Sequence, residues 1–236
     1  MIAILSDIHS NLEAFLAVLE DMKKFSIQEI YILGDIVGYG PNPNECVELV
    51  KEIKAFAIKG NHEQGLLQRD FLLNFNPVPA RIIAWTKDKL NEENTQFLSS
   101  LPLFYRKKEV AFSHGSLLNT DKYIVKSLDI MEEVEELRSL NIKVEFFGHT
   151  HMKMIFAEDE EPIAPSLEWI QLNPELIYLI NPGSIGQPRD KDFASSYALY
   201  DLEKNQVLYR RVEYDIEQTI QKMKEEGFPP FTYNRL

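Results

Sequence analysis

Short β-branched, apolar runs alternate with longer segments of helical periodicity from the first residue onward. Ile2-Ala3-Ile4-Leu5 is uninterrupted apolar, the pattern of a strand covered on both faces. Ser10 followed by Glu13 forms a capping box and predicts a helix through about Phe25. Glu29 to Leu33 is the next predicted strand. Asn42-Pro43-Asn44-Glu45 then supplies a cap residue, a proline at the first helical position and a glutamate at the third, predicting a helix to about Lys54. Ala55 to Ile58 is a third strand. A βαβαβ opening of this kind implies buried parallel strands joined by helical crossovers.

Further on, the pattern predicts helices over 80–90 and 92–100, then strands over 103–105, 110–113, 144–147 and 152–157, with a helix over 128–140 among them. Strands over 169–172, 176–180, 196–200 and 207–212 follow, and a helix over 216–226 takes Asp215 as its cap. There is no internal repeat, no low-complexity segment and no linker, so the expectation is a single domain over 1–236, with an extended C-terminal tail at 227–236. The aromatic stretch Phe228 to Tyr233 in that tail would cover either a neighbour, as in a homo-oligomer, or the chain's own sheet. The acidic run Glu158 to Pro162 reads as an exposed turn.

Composition narrows the class. A hydrophobic share of 44% over 236 residues is ordinary for one globular α/β domain. The formal net charge of −12 argues against long nucleic acid as a partner, because phosphate-backbone binders concentrate Lys and Arg. Cys46 is the single cysteine, so no intramolecular disulfide forms; it reads as a small core residue on a helix. The apolar start is too short for a membrane span and lacks a basic segment ahead of it. These features predict a soluble, cytoplasmic protein with no membrane partner.

The candidate chemistry lies in the histidines. All 5 fall in short motifs: Asp7-Ile8-His9, Gly60-Asn61-His62-Glu63, Ser113-His114-Gly115 and Gly148-His149-Thr150-His151. Gly34-Asp35 adds a carboxylate between the first two. Asp7, Asp35, Asn61, His114 and His149 each follow the C-terminal end of a predicted strand, where loops of an open α/β sheet converge. The donors Asp7, His9, Asp35, Asn61, His114, His149 and His151 are too many for one tetrahedral ion and too polar for a core. Two ions sharing a bridging carboxylate would use them all, hold a hydroxide between them and clamp a phosphoryl group for in-line attack.

In this ordered series the chain resembles the calcineurin-like metallophosphoesterases, whose motifs run Asp-x-His, Gly-Asp, Gly-Asn-His-Glu, His-Gly and Gly-His-Thr-His. Asn181-Pro182-Gly183-Ser184 also looks like the small-phosphodiesterase branch. The resemblance implies a sandwich of two mixed β-sheets flanked by helices, with two divalent ions drawn from Mn, Fe, Ni, Co or Zn. It implies that Asp7, His9 and His151 bind one ion, that Asn61, His114 and His149 bind the other, and that Asp35 bridges both. His62 would stand outside the coordination sphere and donate a proton to the leaving oxygen. Two divalent ions against two carboxylates and a hydroxide leave a charge of about +1, enough to draw a phosphate into an acidic protein.

The expected activity is hydrolysis of a small phosphodiester or nucleotide-type substrate through the bridging hydroxide, without a covalent intermediate. Alternatives are a dinucleoside polyphosphate hydrolase, a phosphomonoesterase or protein phosphatase, and a catalytically silent scaffold such as the retromer subunit of this superfamily. The protein phosphatases read Gly-Asp-x-Val-Asp-Arg-Gly where this chain has Gly34-Asp35-Ile36-Val37-Gly38-Tyr39-Gly40. Their histidine-orienting aspartate is Gly38 here and their phosphate-gripping arginine is Tyr39, which removes a bidentate clamp. Arg189 is either a substitute cation or a loop arginine in a salt bridge. Asn11 is either a substrate contact or a helix cap. Glu63 reads as a helix-start residue near the macrodipole.

Overall fold

A computed structural model describes residues 1–158 and 162–236. The predicted acidic turn at 158–162 spans 159–161 and so lies outside the described residues. One sheet is built on β1 (Ile2–Leu5), with β2 (Glu29–Ile32) and β3 (Phe56–Ala57) parallel to it on one side. On the other side β10 (Ser195–Asp201), β11 (Gln206–Val212) and β8 (Ile170–Gln171) continue it antiparallel. The second sheet orders β4 (Tyr105–Lys107), β5 (Val110–Phe112), β6 (Val144–Phe146), β9 (Tyr178–Pro182) and β7 (Lys153–Ala157). Its β5–β6 and β6–β9 pairs are parallel and its edges antiparallel, so both sheets are mixed.

The period-2 alternation of β1 explains how the layers stack. Ile2 and Ile4 point between the sheets, where they meet Phe112, Phe146, Ile180, Tyr200 and Tyr209. Ala3 and Leu5 point the other way, into a layer with Phe15 and Val18 of α1 (Leu12–Met22) and Val47 and Val50 of α2 (Pro43–Glu52). Each fully buried Leu, Val or Phe there contributes about 1.5–3 kcal/mol. Behind the second sheet, Ala111, Phe147 and Leu179 pack on Val134 and Leu137 of α7 (Ser127–Ser139). The result is the expected pair of mixed sheets with helices on both outer faces.

Several local expectations are corrected. The cap of α1 is Asn11, whose side chain accepts from Ala14 N at 3.2 Å; Ser10 Oγ instead accepts from Gly38 N at 3.1 Å. The helices α3 (Asn61–Leu67) and α4 (Arg69–Leu72) had no apolar stripe long enough to read, and Gly65 interrupts the first. The next helix, α5 (Pro77–Lys89), begins earlier than its apolar periodicity, because prolines are tolerated in a first turn. It is followed by α6 (Glu92–Ser100), as expected. The strand predicted at 103–105 begins at Tyr105, since Leu103 and Phe104 are exposed.

After α8 (Ile216–Glu225), capped by Asp215, the tail folds into the short α9 (Pro230–Tyr233). It packs on a helix of its own chain rather than on a sheet: Phe228 lies edge-on to Trp85 of α5, ring centroids 4.6 Å apart, beside Ile82 and Met223. Among the described residues no helix is long and apolar enough to cross a membrane.

Candidate metal centre

The loops that leave β1, β2, β3, β5 and β6 meet at one rim of the sandwich. Asp7 and His9 follow β1, Asp35 follows β2, Asn61 and His62 open α3 just beyond β3, His114 follows β5, and His149 and His151 follow β6. The backbone is bent hard to bring them there. Asp7, His9, Asp35, His149 and His151 all have positive φ, between 51° and 66°, in the left-handed region that L-residues seldom occupy. Such strain costs about 1–3 kcal/mol per residue and persists where the surroundings over-determine it.

Backbone contacts lock the turns together. A Cβ on Gly34 would lie 2.4 Å from Gly60 N, so the Gly34-Asp35 turn and the start of α3 touch backbone to backbone. The fully buried Glu63 carboxylate ties the same two segments, accepting from Asp35 N and Gly60 N at 2.8 Å and from Val37 N at 3.1 Å. His62 N, at the positive end of α3, donates to Asp35 Oδ1 at 2.9 Å.

The side chains form two groups that share Asp35. Asp7, His9, Asp35 and His151 bring ligand atoms within 4.8 Å of one another, as do Asp35, His114 and His149. Asp35 Oδ2 lies 3.7 Å from His9 Nε2 and 3.4 Å from His114 Nε2, so one oxygen faces both groups. Asn61 Oδ1 joins the second group, 3.1 Å from His114 Nε2. Asp7 Oδ1 lies 3.3 Å from His151 Nε2.

Tautomers explain why this arrangement suits cations. His114 Nδ1 faces Leu33 O at 2.6 Å, His151 Nδ1 faces Gln187 O at 2.6 Å and His9 Nδ1 faces Val37 O at 3.3 Å. Each ring donates its Nδ1–H to a carbonyl and turns its Nε2 inward, where the neutral ring presents a lone pair. His9 Nε2 and His151 Nε2 then lie 3.0 Å apart; with both rings neutral their lone pairs face one another, an arrangement a shared cation would satisfy. Asp7 Oδ1 and His149 Nε2 are buried without a hydrogen-bond partner among the described residues. The residues therefore fit a pair of metal ions.

The charge states of all but one of the shifted groups agree with that fit. Burial pushes His149 down to about 3, and it also pushes His9 well below the ordinary range. Burial acts to raise Asp35, but the neighbouring His114 and His62 outweigh it and hold the carboxyl ionised. Burial opposes the charge on His114, yet the Asp35 carboxylate raises that ring to about 9. Neutral imidazoles and ionised carboxylates are the metal-binding forms, so His9, His149 and Asp35 already hold theirs, while His114 would release a proton as an ion binds.

His62 stands beside these groups. Its Nε2 is 3.9 Å from Asp35 Oδ2, and its ring packs against His9 and Tyr39 at centroid distances of 4.7 and 4.8 Å. Its Nδ1 is buried without a partner among the described residues, and a Cβ on Gly38 would stand 2.0 Å from it. Position 38 (φ +94°) therefore has no room for a carboxylate with the ring where it is. Burial lowers the His62 pKa to about 4.

A cavity of about 190 Å³ opens onto the cluster, lined by Tyr39, Phe75, Asp121, Tyr123 and Arg189 besides the histidines. Arg189 faces it next to Tyr39, bonded to Gln187 Oε1 at 3.1 Å, and makes no ion pair among the described residues. Asn11 does not line it. Its Oδ1 caps α1 and accepts from Thr219 Oγ1, and its Nδ2 donates to Gly186 O and Tyr214 Oη. Of its two readings the structure leaves only the cap. Sequence reasoning did not find Phe75, Asp121 or Tyr123, which stand on loops with no motif to mark them. Glu63 carried a partial signal, being the helix-start acid two residues after Asn61.

Comparison with known proteins places this geometry. A family profile described as a calcineurin-like phosphoesterase superfamily domain matches residues 1–205. An uncharacterized protein of Methanocaldococcus jannaschii is 40% identical over 240 residues, covering 100% of this chain and 97% of that one. Phosphodiesterase YfcE of Escherichia coli is 26% identical over 214 residues, 86% of each chain. The crystal structure of a metallophosphoesterase from Sphaerobacter thermophilus superposes with a TM-score of 0.86 at 37% identity, covering 99% of this chain and 96% of that one.

Proposed function

Because the chain belongs to the calcineurin-like phosphoesterase superfamily, we propose that it is a binuclear-metal hydrolase of a small phosphodiester or nucleotide-type substrate. The observation that carries this reading is the pair of ligand groups meeting at Asp35 Oδ2 on the floor of an open cavity. Asp7, His9 and His151 would hold one ion, Asn61, His114 and His149 the other, and Asp35 both. When bound, such ions supply Lewis-acid polarisation of the phosphoryl group and acidify the attacking water.

The chain's own residues do the rest. His62 is buried, neutral and free at Nδ1, and Asp35 accepts from its backbone N. From there its ring N–H would donate a hydrogen bond to the leaving-group oxygen, and the ring, once protonated by solvent, would pass its proton to that oxygen. Arg189 would grip a non-bridging phosphate oxygen from the Tyr39 side. Phe75 and Tyr123 would exclude water and pack against the alcohol part of the substrate.

The preference for a diester follows from positions 38 and 39. Gly38 supplies no carboxylate to His62, and Tyr39 supplies no guanidinium, so a phosphate dianion would find one cationic clamp fewer. A diester carries a single negative charge and depends less on that clamp. The test compares kcat/KM for a phosphodiester, a phosphomonoester and a phosphothreonine peptide with the same metal. A higher value for the diester is expected; a clear preference for the phosphopeptide would overturn the assignment.

A further inference from the structure

The second ligand group depends on an amide, and an amide has a direction. Asn61 can present its oxygen or its NH₂ to the centre, and only the oxygen carries a lone pair for a cation. In the structure Asn61 Oδ1 points inward at His114, while Nδ2 points out and donates to Asp121 Oδ1 at 3.1 Å. We infer that Asp121 is a positioning residue that fixes the Asn61 carboxamide with its oxygen toward the centre; this rests on the proposed role of Asn61 as a metal ligand.

Three features support the inference. An ionised carboxylate only accepts hydrogen bonds, so it can pair with the NH₂ of Asn61 and not with its oxygen. The loop carrying Asp121 is fixed to the same helix: Thr120 Oγ1 donates to Gln64 Oε1 at 2.9 Å in a buried contact. Gln64 is one turn along α3 from Asn61, so loop and amide keep one spacing. The loop is also tight in itself, since a Cβ on Gly115 would lie within 2.8 Å of the carbonyls of Asn119, Thr120 and Lys122.

Direct ligation by Asp121 is the competing role for this side chain. Its Oδ1 lies 3.8 Å from His149 Nε2, and the side chain is 45% exposed. The Oδ1 atom is already committed to Asn61 Nδ2, and Asp121 does not share the close spacing that unites Asp35, His114 and His149. Replacement by Asn separates the roles. An asparagine oxygen still accepts from Asn61 Nδ2, but it contributes no negative charge to an ion.

The experiment titrates the metal-depleted full chain and its variants Asp121→Ala, Asp121→Asn and Asn61→Ala with Mn²⁺ by calorimetry. Loss of an outer partner of a ligand typically lowers affinity about 10–100-fold, so Asp121→Ala should weaken one of the two sites by that factor and spare the other. Asn61→Ala should weaken the same site, and Asp121→Asn should stay within about threefold of the parent. Asp121→Ala with both sites unchanged would overturn the inference while leaving the role of Asn61 standing. Asp121→Asn as weak as Asp121→Ala would overturn it in favour of direct ligation. Asn61→Ala with unchanged binding would overturn the ligand role of Asn61 and the inference with it.

Discussion

Replacing Glu63 by alanine tests how the strained turns are held in place. The carboxylate is fully buried and accepts three backbone N–H groups, from Asp35, Val37 and Gly60. Glu63→Ala leaves all three donors without their partner, at about 1–3 kcal/mol each. The sum is about 3–9 kcal/mol, with the lower end applying if water enters the vacated space. Glu63→Gln keeps an acceptor oxygen but turns an NH₂ toward at least one donor, so its cost should be about a third of that. A domain holds about 5–15 kcal/mol in total, so the alanine variant should be close to unfolding.

The assay is guanidinium unfolding with EDTA present, so that metal binding to the native state does not contribute. With a denaturant slope of about 2–6 kcal/mol per molar, a 3 kcal/mol loss lowers the midpoint by about 0.5–1.5 M. The expected order of midpoints is parent, then Gln, then Ala. A Glu63→Ala midpoint equal to the parent's would refute the idea that this carboxylate holds the Asp35 turn to α3.

His62→Ala should lower turnover about 10²–10⁴-fold while metal content measured by mass spectrometry stays at the parent level; loss of metal would contradict its place outside the ligand set. Arg189→Ala should raise KM with little change in kcat, the mark of binding shared by ground and transition states, and an unchanged KM would remove Arg189 from the substrate site. Glu145 gives a pH prediction. Burial, and then the neighbouring Glu133, raise its carboxyl well above its ordinary 4.5, against the hydrogen bond from Ser113. Since the folded pKa lies above the unfolded one, its contribution is full below about 4.5 and is lost as pH rises toward the folded value. Glu145→Gln should therefore gain stability over the parent between pH 5 and pH 8 in chemical unfolding, and an equal parent–variant difference at both would contradict this.

What the sequence carried well was whatever repeats with a period or recurs in a fixed order. The strands from Ile2, Glu29 and Val144 were legible because an apolar run of that length has few other uses, and the five motifs because they follow strand ends in series. The walls of the cavity were not legible. Phe75 reaches it from the segment between two helices, and Asp121 and Tyr123 from a loop whose shape depends on contacts with Gln64 and Glu133. Such positions are set by tertiary contacts between distant segments, which leave no periodic trace. Asn11 shows the opposite failure: a cap and a substrate contact use the same residue type beside the same motif. Only the partners of its two amide ends separate them.

The central claim is that Asp35 joins two metal ions in one centre. The most direct measurement is anomalous X-ray scattering at the manganese edge from crystals grown with Mn²⁺. Two peaks about 3.5–4 Å apart are expected, with Asp35 touching both, one flanked by Asp7, His9 and His151 and the other by Asn61, His114 and His149. A single peak, or two peaks with Asp35 bound to only one of them, would contradict it.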